Sequence, residues 1–176
     1  MNIVKTALLG YGHIGKWHAQ KIDELDEAEL FAIVDPKKDN HSRIENIYPN
    51  SIITSDVLDI IGKVDAVVIA TPTSTHYDLI SLAFENKVNV FCEKPLTSNL
   101  EQTIDIDKKF SDTGLVLQAG HSERFHECWE ICQNNSEYKY FFDNFEILQI
   151  NRLAPFKGRA VDVDVIQDLM IHLDIP

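Results

Sequence analysis

The sequence predicts an α/β protein in which helices cover both faces of a parallel β-sheet. Three observations support this: an apolar run at residues 3–9 that ends in glycines, five further short apolar runs, and helical patterns between successive runs. Strands that alternate with helices at this spacing form a right-handed, doubly wound sheet. Because ligands of such sheets bind beyond the carboxyl ends of the strands, functional residues are expected directly after each apolar run.

The first strand leads into a glycine-rich turn. Residues 10–15 read Gly-Tyr-Gly-His-Ile-Gly, the Gly-x-Gly-x-x-Gly pattern of dinucleotide sites. Gly10 permits a tight turn, Gly12 lets the backbone approach a pyrophosphate, and Gly15 lets the next helix pack closely on the strand. The first N–H groups of that helix are expected to bind the anion. The helix is predicted to turn these side chains to one face: Ile14, Trp17, Ile22 and Leu25.

The second strand supplies the other half of a dinucleotide site. Residues 30–34 are apolar and end in Asp35, about 20 residues after Gly15, as a Rossmann-type domain requires. A carboxylate there accepts hydrogen bonds from the adenosine ribose and repels a 2′-phosphate. The sequence therefore favours NAD over NADP, although Lys37 and Lys38 keep NADP possible.

The middle of the chain continues the alternation. The remaining predicted strands are residues 51–54, 64–70, 88–91 and 115–119. The run at 64–70 is almost entirely apolar, which is typical of a strand that is buried on both faces. The helices begin at capping signals: Ser42 with Glu45, Ser55 before a helix at 56–61, Thr75 with Asp78 before a helix to Asn86, and Ser98 with Glu101 before a helix to Phe110.

Length and charge limit the class of protein. The 176 residues suit one domain and part of another. A net charge of −12, with 16 basic residues in no dense run, argues against a nucleic-acid partner. The chain has no apolar run near the roughly 20 residues that span a bilayer, and it begins directly in a strand, so we predict a cytoplasmic protein with no membrane partner.

Four motifs resemble the Gfo/Idh/MocA family of NAD(P)-dependent sugar dehydrogenases. They are the nucleotide loop Gly10–His18, the loop Ala70–His76, the tripeptide Glu93-Lys94-Pro95 and the pair Asp168-x-x-x-His172. The resemblance implies a Rossmann-type doubly wound sheet at residues 1–120, followed at 121–176 by the start of a second α/β domain. Family members have a complete second domain, so the resemblance also implies an N-terminal fragment or a truncated reading frame.

The resemblance implies roles for individual residues. Lys94 would carry the proton beside the nicotinamide and the substrate hydroxyl, with His172 as a second candidate and Asp168 on the same helical face. The chemistry agrees, since hydride transfer forms or consumes an alkoxide, which needs a proton donor or a positive charge. The implied substrate-binding residues are Lys94, Arg124, Asp168 and His172. The implied cofactor-binding residues are Gly10, Tyr11, Gly12, His13, Ile14, Gly15, Asp35, Thr71, Pro72, Thr73, His76, Glu93 and Lys94.

The implied activity is NAD(P)-dependent oxidation or reduction of a carbohydrate-type alcohol, such as a sugar, a sugar nucleotide or a polyol. Residues 151–156 together with 161–165 resemble the branch that acts on nucleotide-linked amino sugars. The apolar strand predicted at 146–151 would belong to a sheet through which relatives dimerise, so a homo-oligomer is expected. The alternative is a truncated module that binds NAD without turnover.

Two cysteines four residues apart raise the alternative of a metal site. Cys128 and Cys132 would lie on one face of a helix, with His126 nearby. The set lacks a convincing fourth ligand, and free cysteines are often buried as small apolar residues. We therefore predict no metal site, and we expect Cys92 to belong to the core of its strand.

Overall fold

The computed structural model describes residues 2–144 together with Glu146 and Gln149. The chain divides into two compact units, Met1–Gly120 and His121–Pro176. The described strands all lie in the first unit. The described part of the second unit contains a 3-10 turn at Ser122–Phe125 and two short helices.

The described residues form one sheet of six parallel strands in the order β3-β2-β1-β4-β5-β6. The order reverses direction between β1 and β4, so the predicted doubly wound sheet is confirmed. Each strand lies within two residues of its predicted position. The strands are β1 Val4–Leu9, β2 Ala28–Val34, β3 Ile52–Thr54, β4 Ala66–Ile69, β5 Asn89–Glu93 and β6 Leu117–Gly120.

The helices follow the strands in the predicted alternation. In the first unit they are α1 His13–Asp23, α2 His41–Ile47, α3 His76–Glu85 and α4 Leu100–Phe110, and in the second α5 Glu127–Asn134 and α6 Ser136–Asp143. None of the described helices is long and apolar enough to cross a membrane.

The sheet is buried on both faces, which explains its apolar strands. On β1, Leu9 packs into one cluster that includes Ile80 of α3 and Ile106 of α4. The neighbouring Leu8 points the other way, into a second cluster with Ala19 of α1. Because successive side chains of a strand point to opposite faces, a strand covered on both sides must be apolar at nearly every position.

The predicted core face of α1 is confirmed at Ile22 and wrong at Ile14, Trp17 and Leu25, which are exposed. Trp17 is 60% exposed and Ile14 is 44% exposed, whereas the helix buries Gly15, Ala19 and Ile22. The physical reason is the close approach of helix and strand at Gly15. Small residues one turn apart form the contact, and the two large apolar side chains are left on the solvent side.

Three predicted helix starts also need correction. In place of the helix predicted at 56–61 there are two 3-10 turns, Val57–Asp59 and Ile61–Lys63, and the Asp56 side chain accepts from the Leu58 N–H at 2.9 Å. Ser42 lies inside α2, which begins at His41. The predicted start of α3 is confirmed, since Thr75 directly precedes the helix, although its hydroxyl donates to the Pro72 carbonyl at 2.8 Å instead of bonding to the helix. The cap of α4 is not Ser98 but the next residue, Asn99, whose side chain accepts from the Gln102 N–H at 3.0 Å.

Removal of the Asn99 cap is expected to destabilise the first unit. Asn99→Ala leaves an N–H at the start of α4 without its acceptor, so the free energy of unfolding should fall by about 1 kcal/mol. Urea denaturation measures the change, and Asn99→Asp is the matched control because aspartate caps equally well. An equal loss in both variants would contradict the assignment of the cap.

Candidate cofactor and active site

Two of the three motif glycines are required by the fold, because a side chain at either position would collide with the protein's own backbone. Gly10 has φ +92°, in the left-handed region, and a Cβ there would lie 2.8 Å from the Ala70 carbonyl oxygen. At Gly15, a Cβ would collide with the Gly10 carbonyl oxygen. Any side chain at these positions would therefore displace the turn or the helix that follows it.

The third glycine, Gly12, is different. A Cβ at Gly12 would meet no atom of the described part of the chain within 4 Å. Gly12 directly precedes α1, whose first turn contains no acidic side chain among the described residues. Open space beside a helix N-terminus fits a pyrophosphate, since the N–H groups and the helix dipole both favour an anion.

Tyr11 contributes to the loop through its backbone, while its ring belongs to the core. The side chain is buried and packs edge-on against Tyr48, with ring centroids 6.2 Å apart. Lys16 Nζ lies 5.7 Å from the centroid of the Tyr11 ring. Burial raises the pKa of Tyr48 to about 12, so its phenol stays protonated at neutral pH. The neighbouring His13 and Ile14 are exposed.

Asp35 holds the glycine turn against the end of β2. Its side chain is only 6% exposed. One carboxylate oxygen accepts from the Tyr11 N–H at 3.0 Å, and the other accepts from the Lys37 N–H at 2.8 Å. Carboxylate oxygens can each accept more than one hydrogen bond, so both contacts are compatible with a further bond to a ribose hydroxyl.

The loop after β4 contains Thr71, Pro72, Thr73 and His76. Thr71 and Thr75 share a hydrogen bond between their hydroxyls at 2.7 Å. Thr73 is buried. His76, predicted to lie near the cofactor, is 1% exposed, with Nδ1 2.9 Å from the Pro95 carbonyl oxygen and Nε2 2.9 Å from the Thr71 carbonyl oxygen. Its ring therefore joins the loops after β4 and β5 instead of presenting a nitrogen to a ligand.

Glu93 and Lys94 stand where β5 ends. Glu93 Oε2 accepts from the Lys94 backbone N–H at 3.2 Å, and Glu93 Oε1 lies 2.8 Å from His18 Nε2. Lys94 is half-buried. The preceding Cys92 is buried, and burial raises the pKa of its thiol well above the ordinary value, so this sulfur remains a protonated core atom.

These elements bring most of the predicted site together at one edge of the sheet. The glycine turn follows β1, Asp35 follows β2, Thr71 follows β4 and Lys94 follows β5. Arg124 lies in the second unit, in an exposed 3-10 turn. Asp168 and His172 lie outside the described residues, as does most of the strand predicted at 146–151.

The sequence alone did not predict the contact of His18 with Glu93. The residue lies three positions after Gly15 in the nucleotide motif, which places it on the face of α1 that approaches the sheet. This spacing is the sequence feature that indicates on which face of α1 His18 lies. Among the described residues, no group of three or more histidine, cysteine or acidic side chains could hold a metal ion.

The fold and the glycine turn define the class of protein as a Rossmann-type, nucleotide-binding α/β domain. The family model described as an oxidoreductase family with an NAD-binding Rossmann fold matches residues 4–121. The chain belongs to this family, Gfo/Idh/MocA, which confirms the family that its motifs predicted.

Known relatives agree with this assignment. UDP-N-acetylglucosamine 3-dehydrogenase of Acidithiobacillus ferrooxidans is 33% identical over 170 residues, which are 96% of this chain and 51% of that protein. Inositol 2-dehydrogenase of Rhizobium meliloti is 37% identical over 122 residues, 69% of this chain and 37% of that protein. The chain thus spans about half or less of the length of these relatives.

Solved structures show the same fold. A myo-inositol dehydrogenase, described as putative, from Sinorhizobium meliloti matches with a TM-score of 0.67 and 33% identity, over 74% of this chain and 40% of that one. Scyllo-inositol dehydrogenase of Lactobacillus casei, with bound NAD(H) and scyllo-inositol, matches with a TM-score of 0.70 over 81% of this chain and 41% of that one. At 23% identity, the second match supports the fold alone.

Proposed function

We propose that this chain is the cofactor-binding part of a dehydrogenase that transfers a hydride between NAD and a CH–OH carbon of a sugar, a sugar nucleotide or a polyol. The observation behind the proposal is that an open glycine turn, a carboxylate that can accept from a ribose and a lysine follow β1, β2 and β5, at the same edge of one parallel sheet. The named relatives are dehydrogenases of a sugar nucleotide and of inositols, which supports the same chemistry.

Each part of the site has a role in this proposal. The space beside Gly12 and the first N–H groups of α1 receive the pyrophosphate, and Asp35 accepts from the ribose. Bound nicotinamide supplies the carbon that accepts or gives the hydride. Lys94 holds or delivers the proton at the substrate oxygen, where its positive charge also stabilises a developing alkoxide. Asp168 and His172 are proposed as further substrate contacts.

A second candidate function follows from the span of the match. The chain covers 51% of the A. ferrooxidans relative, so it could bind NAD(H) without completing a substrate site. Turnover of UDP-N-acetylglucosamine or an inositol by the purified chain supports the dehydrogenase. Cofactor binding without any turnover supports the non-catalytic module.

Compartment and assembly are also proposals. We propose a cytoplasmic protein that assembles as a homo-oligomer through residues 121–176, with a small carbohydrate as its substrate. The net charge of −12 supports the exclusion of nucleic acid, because phosphate contacts need clustered basic side chains. Light scattering of the purified chain measures the oligomeric state.

Cofactor titration tests the proposed binding site directly. The chain should bind NAD(H) about tenfold more tightly than NADP(H), because a 2′-phosphate would lie against the Asp35 carboxylate. Gly12→Val should abolish binding by filling the space of the pyrophosphate. Isothermal calorimetry measures both effects.

The matched control for this variant is Gly62→Val. A Cβ at Gly62 would likewise meet no described atom within 4 Å, but this glycine lies in a 3-10 turn away from the motif. The control should bind NAD(H) like the unmodified chain. Equal affinity for the two cofactors, or undiminished binding by Gly12→Val, would refute the proposed site.

A further inference from the structure

The carboxylate of Glu93 is held in place from several directions. His18 Nε2 of α1 lies 2.8 Å from Oε1, and both side chains are about four-fifths buried, at 23% and 21% exposure. The other oxygen, Oε2, accepts from the Lys94 N–H. One carboxylate therefore connects the helix of the glycine motif to the backbone of the proposed proton carrier.

The surrounding residues fix this arrangement further. The His18 ring packs edge-on against Phe91, with centroids 5.3 Å apart. Gly120 of β6 lies beside Glu93 in the sheet register. A Cβ at Gly120 would lie 3.1 Å from Phe91 Cζ and 3.3 Å from Glu93 Cδ, so the absence of a side chain there leaves room for both groups.

We infer that His18 is a positioning residue that couples the occupancy of the pyrophosphate site to the position of Lys94 through Glu93. The inference rests on the proposed roles of α1 and Lys94. His18 lies six residues after Gly12, about 9 Å along a helix axis. An anion that orders the first turn of α1 also orders His18, because a helix transmits such a constraint along its length. The two hydrogen bonds of Glu93 then transmit this constraint from His18 to the Lys94 backbone.

Backbone amide exchange in the isotope-labelled chain tests this coupling without requiring turnover. In the unmodified chain, saturating NAD(H) should slow exchange of the Lys94 N–H by roughly tenfold, the scale of a strengthened hydrogen bond to a charged group. His18→Leu should remove most of this cofactor-linked protection while NAD(H) affinity stays within a few-fold. His18→Gln should restore part of it, since its amide can donate to Glu93 Oε1.

Two controls separate positioning from a general loss of structure. Gln20→Ala changes an exposed residue of the same helix, whose side chain donates to Glu24, and should leave Lys94 exchange unchanged. In a Glu93→Ala background, His18→Leu should have no further effect on Lys94, because the connecting carboxylate is already absent. Circular dichroism confirms that each variant is folded.

The outcomes distinguish this inference from the proposed function. Cofactor-linked protection at Lys94 that survives His18→Leu would overturn the inference while cofactor binding stands. If the unmodified chain binds no NAD(H), both the proposed function and the coupling are overturned. Loss of the protection in His18→Leu, with partial rescue by His18→Gln and retained affinity, supports the inference.

Discussion

Replacement of Lys94 by alanine is expected to lower kcat for hydride transfer by about 10²- to 10⁴-fold, the usual effect of losing a general acid or base. NAD affinity should stay within a few-fold, because the glycine turn and Asp35 are unchanged. Lys94 directly follows β5 and is half-buried, so its position relative to the sheet edge is well defined. Steady-state and single-turnover rates with a sugar nucleotide or an inositol measure the effect in whichever form of the protein is active.

The matched control is Lys108→Ala, which removes an exposed lysine of α4 and should leave kcat unchanged. His172→Ala should lower the rate less than Lys94→Ala if Lys94 is the main proton carrier. A larger loss for His172→Ala would reverse these roles. If neither substitution lowers the rate, the reaction takes place elsewhere.

Replacement of Gly15 by alanine is the second change for which a large effect is expected. It should lower both the stability of the protein and its binding of the cofactor. The new methyl group would collide with the Gly10 carbonyl oxygen, which is backbone and cannot move aside like a flexible side chain. The free energy of unfolding should fall by about 3 kcal/mol or more, at the upper end of overpacked sites. NAD binding should also be lost, because helix and turn must separate.

Urea denaturation and calorimetry measure the two effects of Gly15→Ala. Gly62→Ala is the control, since its methyl group would have open space within the described structure. A folded Gly15→Ala variant with normal NAD affinity would mean that α1 can shift without cost, contrary to the tight packing of α1 on the glycine turn.

The strands could be predicted from the sequence because burial on both faces leaves a continuous apolar signal. Residues 64–70 are the clearest example, and β4 lies within them at Ala66–Ile69. The strand ends then indicated where functional residues are expected. Asp35 was assigned from its spacing after Gly15, whereas Thr71 and Lys94 were assigned from the family resemblance, which agrees with their positions at strand ends. Parallel strands place their carboxyl ends at one edge, whatever their order in the sheet.

The orientation of α1 could not be predicted because large apolar residues were weighted above small ones. Because α1 approaches the strand closely at Gly15, the small Ala19 fits the contact better than Trp17 does. The number of apolar residues on a helix face does not reveal how closely the helix packs on the sheet. The spacing of His18 after Gly15 indicates the face of α1 on which it lies, but its contact with Glu93 joins residues 75 positions apart, so no local pattern identifies the partner. His76 was placed near the cofactor by the family resemblance. Its contacts with the carbonyl oxygens of Thr71 and Pro95 could not be predicted, because every residue has such an oxygen.

The bonds of Asp35 to two backbone N–H groups restrict how this nucleotide-binding domain could be redesigned for NADP. Removing the negative charge with Asp35→Ala would also take away the acceptors of the Tyr11 and Lys37 N–H groups, so the glycine turn would loosen as the repulsion disappeared. A variant that accepts a 2′-phosphate therefore needs a short neutral acceptor, as in Asp35→Ser or Asp35→Asn. Lys37 or Lys38 could then supply the positive charge for the added phosphate.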